Sequence, residues 1–176
     1  DGGGINILDF QTMKFSHLKH ISDDEQSLPN NSIYRLYKDQ MDNIWIGSIH
    51  GGLFAIKKVF IKTYKDVPLN NPNGISERTV VSIFEDKDTL LWIGTDGGGI
   101  NSFDQKTNTF HHYPTTYGEK VTSITNFSEN ELLLSCFNKG VFTFNKRTAQ
   151  MQPFPIINDS ISKREFSSGD LVNLYV

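Results

Sequence analysis

An all-β chain of repeated four-stranded units is the fold class this sequence predicts, and three observations predict it. Glycine turns recur at Gly4-Ile5, Gly52-Leu53, Gly99-Ile100 and Gly140-Val141, 48, 47 and 41 residues apart. Between them, four short runs rich in Ile, Val, Phe, Tyr and Thr return in the same order, punctuated by Asp, Asn and Gly. No stretch of useful length carries a helical period. Units of this length cannot bury their own apolar faces, so they stack. Four strands in every ~40–50 residues are the blade of a β-propeller. A flat antiparallel sandwich is the alternative, but sandwiches seldom repeat their sequence.

The elements follow in order. Strand A is "SIYRLYKD" (32–39), "VVSIFED" (80–86), "VTSITNF" (121–127) and a lone "LVNLYV" (171–176). Polar turns "QMDN", "KDT" and "SEN" lead to strand B, "IWIGS", "LLWIGT" and "ELLLS". The glycine turn opens strand C, "GINILD", "GLFAIK", "GINSFD" and "GVFTFN". Strand D follows as "KFSHL", "FIKTY", "FHHYP" and "QMQPF". The expected organisation is a propeller fragment. It comprises a partial blade over 1–20 (strands C and D), full blades over 32–66, 79–114 and 120–155, and the first strand of another over 170–176. Both ends look cut, so a larger parent protein is expected, together with self-association across the open blade faces.

A blade lies between two others, so both its faces are buried, and runs such as "YRLY" need not alternate cleanly. Gly52, Gly99 and Gly140 sit at the B–C hairpin, where a tight turn needs positive φ. Trp45, Trp92 and Leu133 stand seven residues before them. A large flat side chain there fills the gap between blades. Ligand stacking is the alternative, but recurrence in register favours packing.

Spacing locates the variable face. Ile33–Trp45, Val80–Trp92 and Val121–Leu133 are each 12 residues, whereas the connections from strand D to the next strand A are 15, 16, 8 and 17. In an up-and-down meander the D–A and B–C connections share one face. Variable loops on a rigid scaffold are where binding usually resides. The polar loop "NNPNGISER" offers Asn71, Asn73, Glu77 and Arg78, and the B–C turns offer His50, Asp96 and Asn138 at matching places of the repeat. These seven are the candidate ligand-binding residues; tolerated turn residues and an Arg78–Glu77 salt bridge are the alternatives. Arg78 suits a carboxylate or sulfate, and the amides and carboxylates suit hydroxyls.

Composition excludes several function classes. The chain has 176 residues, 37% hydrophobic and 21% charged, with a net charge of −3, so nothing electrostatic points to nucleic acid or an anionic membrane. Its one cysteine, Cys136, allows no intrachain disulfide and reads as a small core residue. No apolar run approaches the ~20 residues of a membrane helix. The glycine-rich stretches precede strands, not helices, so no phosphate cradle and no cofactor is expected. His17, His20, His111 and His112 lack partners at ligand spacing, so no metal site is expected. Asp23-Asp24 lies in a loop without an apolar setting, and no catalytic residue is assigned.

"DNIWIGSIHGGLFAIK" and "LLWIGTDGGGINSFDQKTNTFHHY" closely resemble the two-component regulator propeller repeat. The third unit departs with "ELLLSCFNKGVF", and the second has "KKVF" in place of the D-x-x-T turn. The resemblance implies the periplasmic sensor region of a hybrid histidine kinase of the polysaccharide-utilisation type, binding an oligosaccharide. A protein-interaction or assembly propeller is the alternative. A propeller lyase or lactonase would need converging acid, base or metal ligands, which the sequence does not supply.

Overall fold

The computed structural model describes residues 2–24, 26–57, 60–69 and 71–155. The expected strand at 171–176 lies outside the described residues, as does most of the loop before it. Three antiparallel four-stranded sheets follow one another in sequence order. The first holds β3 (Ile33–Lys38), β4 (Ile44–Ser48), β5 (Leu53–Lys57) and β6 (Phe60–Tyr64). The second holds β7 (Val80–Glu85), β8 (Leu90–Thr95), β9 (Ile100–Asp104) and β10 (Thr109–His112). The third holds β11 (Val121–Asn126), β12 (Glu131–Cys136), β13 (Gly140–Asn145) and β14 (Met151–Pro153). Ahead of them β1 (Ile5–Asp9) and β2 (Lys14–Leu18) form a two-stranded sheet. The architecture is that of β-propeller blades.

The apolar cores lie between blades. Trp45, Leu53 and Tyr64 of the first full blade pack with Ile75, Val80, Ile93 and Phe103 of the second. Trp92, Ile100 and Tyr113 of the second pack with Val121, Ile124, Leu134 and Phe144 of the third. Trp45 is 0% and Trp92 1% exposed, so both indoles fill a seam, as the repeat register predicts. Each stacks on the aromatic residue ending strand D of its own blade: Trp45 on Tyr64 at 6.0 Å and Trp92 on Tyr113 at 5.4 Å.

A buried indole needs an acceptor, and the last residue of the strand A run supplies one. Trp45 Nε1–H donates to Asp39 Oδ2 (2.8 Å), and Trp92 Nε1–H to Asp86 Oδ2 (2.9 Å). The other oxygen of each carboxylate closes the A–B turn, taking Met41 N and Asn43 N at Asp39, and Asp88 N and Leu90 N at Asp86. In the third blade both partners change together, to Phe127 and Leu133. The Phe127 ring packs edge-on against Phe154 at 5.4 Å, so an aromatic contact with the end of strand D persists from a different sequence position.

Backbone hydrogen bonds lock successive blades. Gly4, Gly52 and Gly99 each donate N–H to a carbonyl in the loop leading to the next blade: Asn31 (3.0 Å), Arg78 (2.7 Å) and Glu119 (3.3 Å). Ser82 Oγ donates to Val121 O across the inner strands (2.7 Å). Position by position, Val81 is 1% exposed, whereas its equivalent Tyr34 on β3 is 44% exposed, because no inner strand precedes β3 among the described residues.

Lys146 crosses the second seam to Asp86 Oδ2 (3.2 Å). Burial pushes the Asp39 and Asp86 carboxyls up. Hydrogen bonds from Asn43 and Trp45, and from Trp92, Leu90 and Lys146, outweigh it and hold both below the usual value. Glu85, which accepts from Gln40 N (2.9 Å), moves the other way: burial raises it, Gln40 opposes, and the charges of Asp39 and Asp86 add to the rise. A carboxylate with a lowered folded pKa contributes stability that is full above its unfolded value of ~4 and is lost as pH falls through the folded one. Asp86→Asn is therefore expected to cost about 1–3 kcal/mol at pH 7 and to flatten the acid limb of the stability profile. Glu85→Gln is expected to stabilise at pH 7, because the fold disfavours its charged form. Urea unfolding between pH 3 and 7 reads both, and a wild-type pH profile in Asp86→Asn would refute the assignment.

Candidate ligand-binding face

The B–C turns and the D–A loops do share one face, and recurring backbone bonds zip them together. Ile49, Asp96 and Phe137 donate N–H to Ser32 O, Thr79 O and Lys120 O at 3.0, 3.0 and 2.9 Å. These three turn residues are equivalent. His50 (φ 59), Gly97 (φ 103) and Asn138 (φ 58) form the next equivalent set, in left-handed backbone. Asp96 thus sits one residue earlier in its turn than His50 and Asn138 do in theirs, so the expectation of three residues at one matching place needs correcting.

The seam between the second and third blades gathers the densest group. Lys120 Nζ pairs with Asp96 Oδ2 (2.8 Å) and lies 5.4 Å from the centre of the Phe137 ring, which is 43% exposed. Asn138 follows in the same turn, and Lys139 Nζ bonds Glu119 Oε1 (2.6 Å). Glu119 holds the Lys139 ammonium above its ordinary value. The other Glu119 oxygen and the Tyr117 hydroxyl are buried and have no hydrogen-bond partner among the described residues. The arrangement presents an exposed aromatic ring with an ammonium over one face and a carboxylate and an amide close by. Below it, burial and the nearby Glu119 push the Cys136 thiol up to about 12, so it stays protonated and is no nucleophile at neutral pH.

At the first seam His50 N donates to Thr79 Oγ1 (3.3 Å), and Glu77 lies beside Gly98. Glu77 Oε1 accepts from the backbone N–H of Arg78 (3.0 Å), while the exposed Arg78 guanidinium forms no ion pair with the described residues. Asn71 and Asn73 are not part of this group. Their loop runs along the outer strand β10, where Phe110 N donates to Pro72 O (2.8 Å) and His112 Nε2–H to Gly74 O (2.9 Å). Asn71 Oδ1 is used locally, accepting from Asn73 N (3.1 Å). Sequence reasoning missed Phe137 and Lys120. Its available signal was an aromatic at a turn position occupied by Ile49 and Asp96 in the other blades. Among the described residues no three His, Cys, Asp or Glu side chains are placed to hold a metal, and no helix is long and apolar enough to cross a membrane.

The two component regulator propeller family model matches residues 27–50 and 74–97, in each case from the approach to strand A through the B–C turn. No curated protein matches the chain. Among solved structures, the extracellular domain of BT4673 from B. thetaiotaomicron, assigned to a hybrid two component system, is similar with a TM-score of 0.73 at 21% identity, over 98% of this chain and 22% of that one. The extracellular domain of BT3049 from the same organism, likewise assigned, gives 0.72 at 18%, over 88% and 25%. PorZ, a surface component of the type-IX secretion system of Porphyromonas gingivalis, gives 0.67 at 13%, over 99% and 27%. The chain therefore spans about a quarter of the length of these proteins, and at such identities the likeness is one of fold. The chain is thus a β-propeller segment in which residues 27–50 and 74–97 match the two component regulator propeller repeat, each matched blade with its indole anchored on a strand A carboxylate.

Proposed function

We propose that this segment belongs to the extracytoplasmic sensor region of a hybrid two-component signalling protein, that the B–C and D–A face reads an oligosaccharide, and that binding controls carbohydrate-utilisation genes. The observation that carries the ligand class is the exposed Phe137 ring bordered by Asp96, Lys120 and Asn138. An aromatic face accepts the C–H face of a pyranose, and the polar rim takes its hydroxyls. Arg78 adds a fork for a uronate or sulfate. The matched repeat and the likeness to extracellular domains of assigned hybrid systems support the signalling role.

Calorimetric titration of the intact sensor protein with neutral and acidic oligosaccharides tests this. Phe137→Ala and Asp96→Ala are expected to weaken binding about tenfold or more, and Arg78→Ala to weaken acidic ligands alone. Unchanged affinity in all three, with the fold intact, would move the site off this segment. An assembly propeller is the second reading, favoured by the exposed apolar side chains Ile7, Tyr34 and Leu36 beside the open edge of β1. Silence across the titrations, with self-association lost on Leu36→Ser, would favour it.

A further inference from the structure

The loop between β2 and β3 folds against the end of β6 and leaves a cleft of about 610 Å³, a size that suits a small ligand. None of the seven candidate residues lines it. Its lining carries charges of both signs, Asp23 and Asp24 from the loop and Lys65 just beyond β6. None of the three is ion-paired to a described residue, so each charge keeps its capacity for a partner from outside.

The remaining lining sorts into hydrogen-bonding and apolar parts. His20 Nδ1–H donates to Leu28 O (2.7 Å), because a carbonyl can only accept, which ties the ring to the loop and leaves Nε2 outside that bond. Asp24 spends Oδ1 on Gln26 N (2.9 Å) and keeps Oδ2. Ile21, 57% exposed, supplies an aliphatic wall. Carboxylates for an ammonium, an ammonium for a carboxylate and the apolar Ile21 side chain in the same cleft complement a ligand bearing both charges.

We propose that this cleft binds an aliphatic zwitterion, a free amino acid or a short peptide, with its ammonium on Asp23 and Asp24 and its carboxylate on Lys65. The proposal does not rest on saccharide sensing.

Titration calorimetry on the intact chain tests it, with L-leucine and L-leucyl-L-leucine as probes and leucinamide, N-acetyl-leucine and maltose as controls. Saturable binding of leucine or the dipeptide is expected, and which of them binds reports the charge spacing. Leucinamide and N-acetyl-leucine, each lacking one charge, should bind about tenfold or more weakly. Lys65→Ala and Asp23→Asn should weaken the zwitterion similarly. Asparagine suits position 23, where φ is 71. No saturable binding of either probe, equal binding of N-acetyl-leucine, or unchanged binding in both variants would overturn the proposal. Maltose binding lost in the same variants would also overturn it and would place the saccharide here instead. Failure of the Phe137 and Asp96 titrations leaves it untouched.

Discussion

Trp92→Ala is expected to lower stability by about 3–5 kcal/mol, the cost of emptying a buried aromatic site that cannot collapse. The site cannot collapse because its walls belong to two blades: Tyr113 on one side, and Phe144 of the third blade at 5.9 Å on the other. The substitution also deprives Asp86 of the indole N–H, leaving a carboxylate only 3% exposed with fewer partners. Trp92→Phe separates the two effects, since it keeps most of the ring volume and removes only the hydrogen bond; it should recover more than half of the loss. Equilibrium urea denaturation measures both. A loss below ~1 kcal/mol for Trp92→Ala would mean that the seams are not the stabilising layers of this fold.

Gly99→Ala should be nearly as damaging, for a different reason. Gly99 has φ +69, and a Cβ there would overlap Thr116 Oγ1 and the Thr116 carbonyl oxygen. Its N–H also donates to Glu119 O in the loop that leads to the next blade. Strain of ~1–2 kcal/mol from the left-handed backbone thus adds to a backbone clash at the seam, and a total loss of about 3 kcal/mol or more is expected. Gly140→Ala is the control. Its φ is +93, but nothing described lies within 4 Å of the added Cβ, so the strain alone should appear. Equal losses in the two variants would show that the close approach at Gly99 contributes nothing.

The repeat alone determined the blade count among the described residues, the order of strands, the burial of Trp45 and Trp92, and the face on which the variable loops gather. These features are local or periodic: alternation, turn residues and register recur every ~40–50 residues, and each copy reinforces the reading of the others. The third unit shows the limit of such reading. Its missing tryptophan looks like a loss, yet the Phe127 ring takes up contact with the end of strand D from the aspartate position, six residues earlier. Only packing in space shows that replacement. Tertiary structure likewise decided which candidate residues meet. Asn71 and Arg78 are seven residues apart in one polar loop, but hydrogen bonds from Phe110 and His112 hold the Asn71 end along β10, while Arg78 O binds Gly52 at the seam. Lys120 reaches Phe137 and Asp96, and Lys65 shares a cleft with Asp23, through contacts between blades. Loops carry no period, so their residues can be counted in the sequence, but their partners are set by the seams that fold them together.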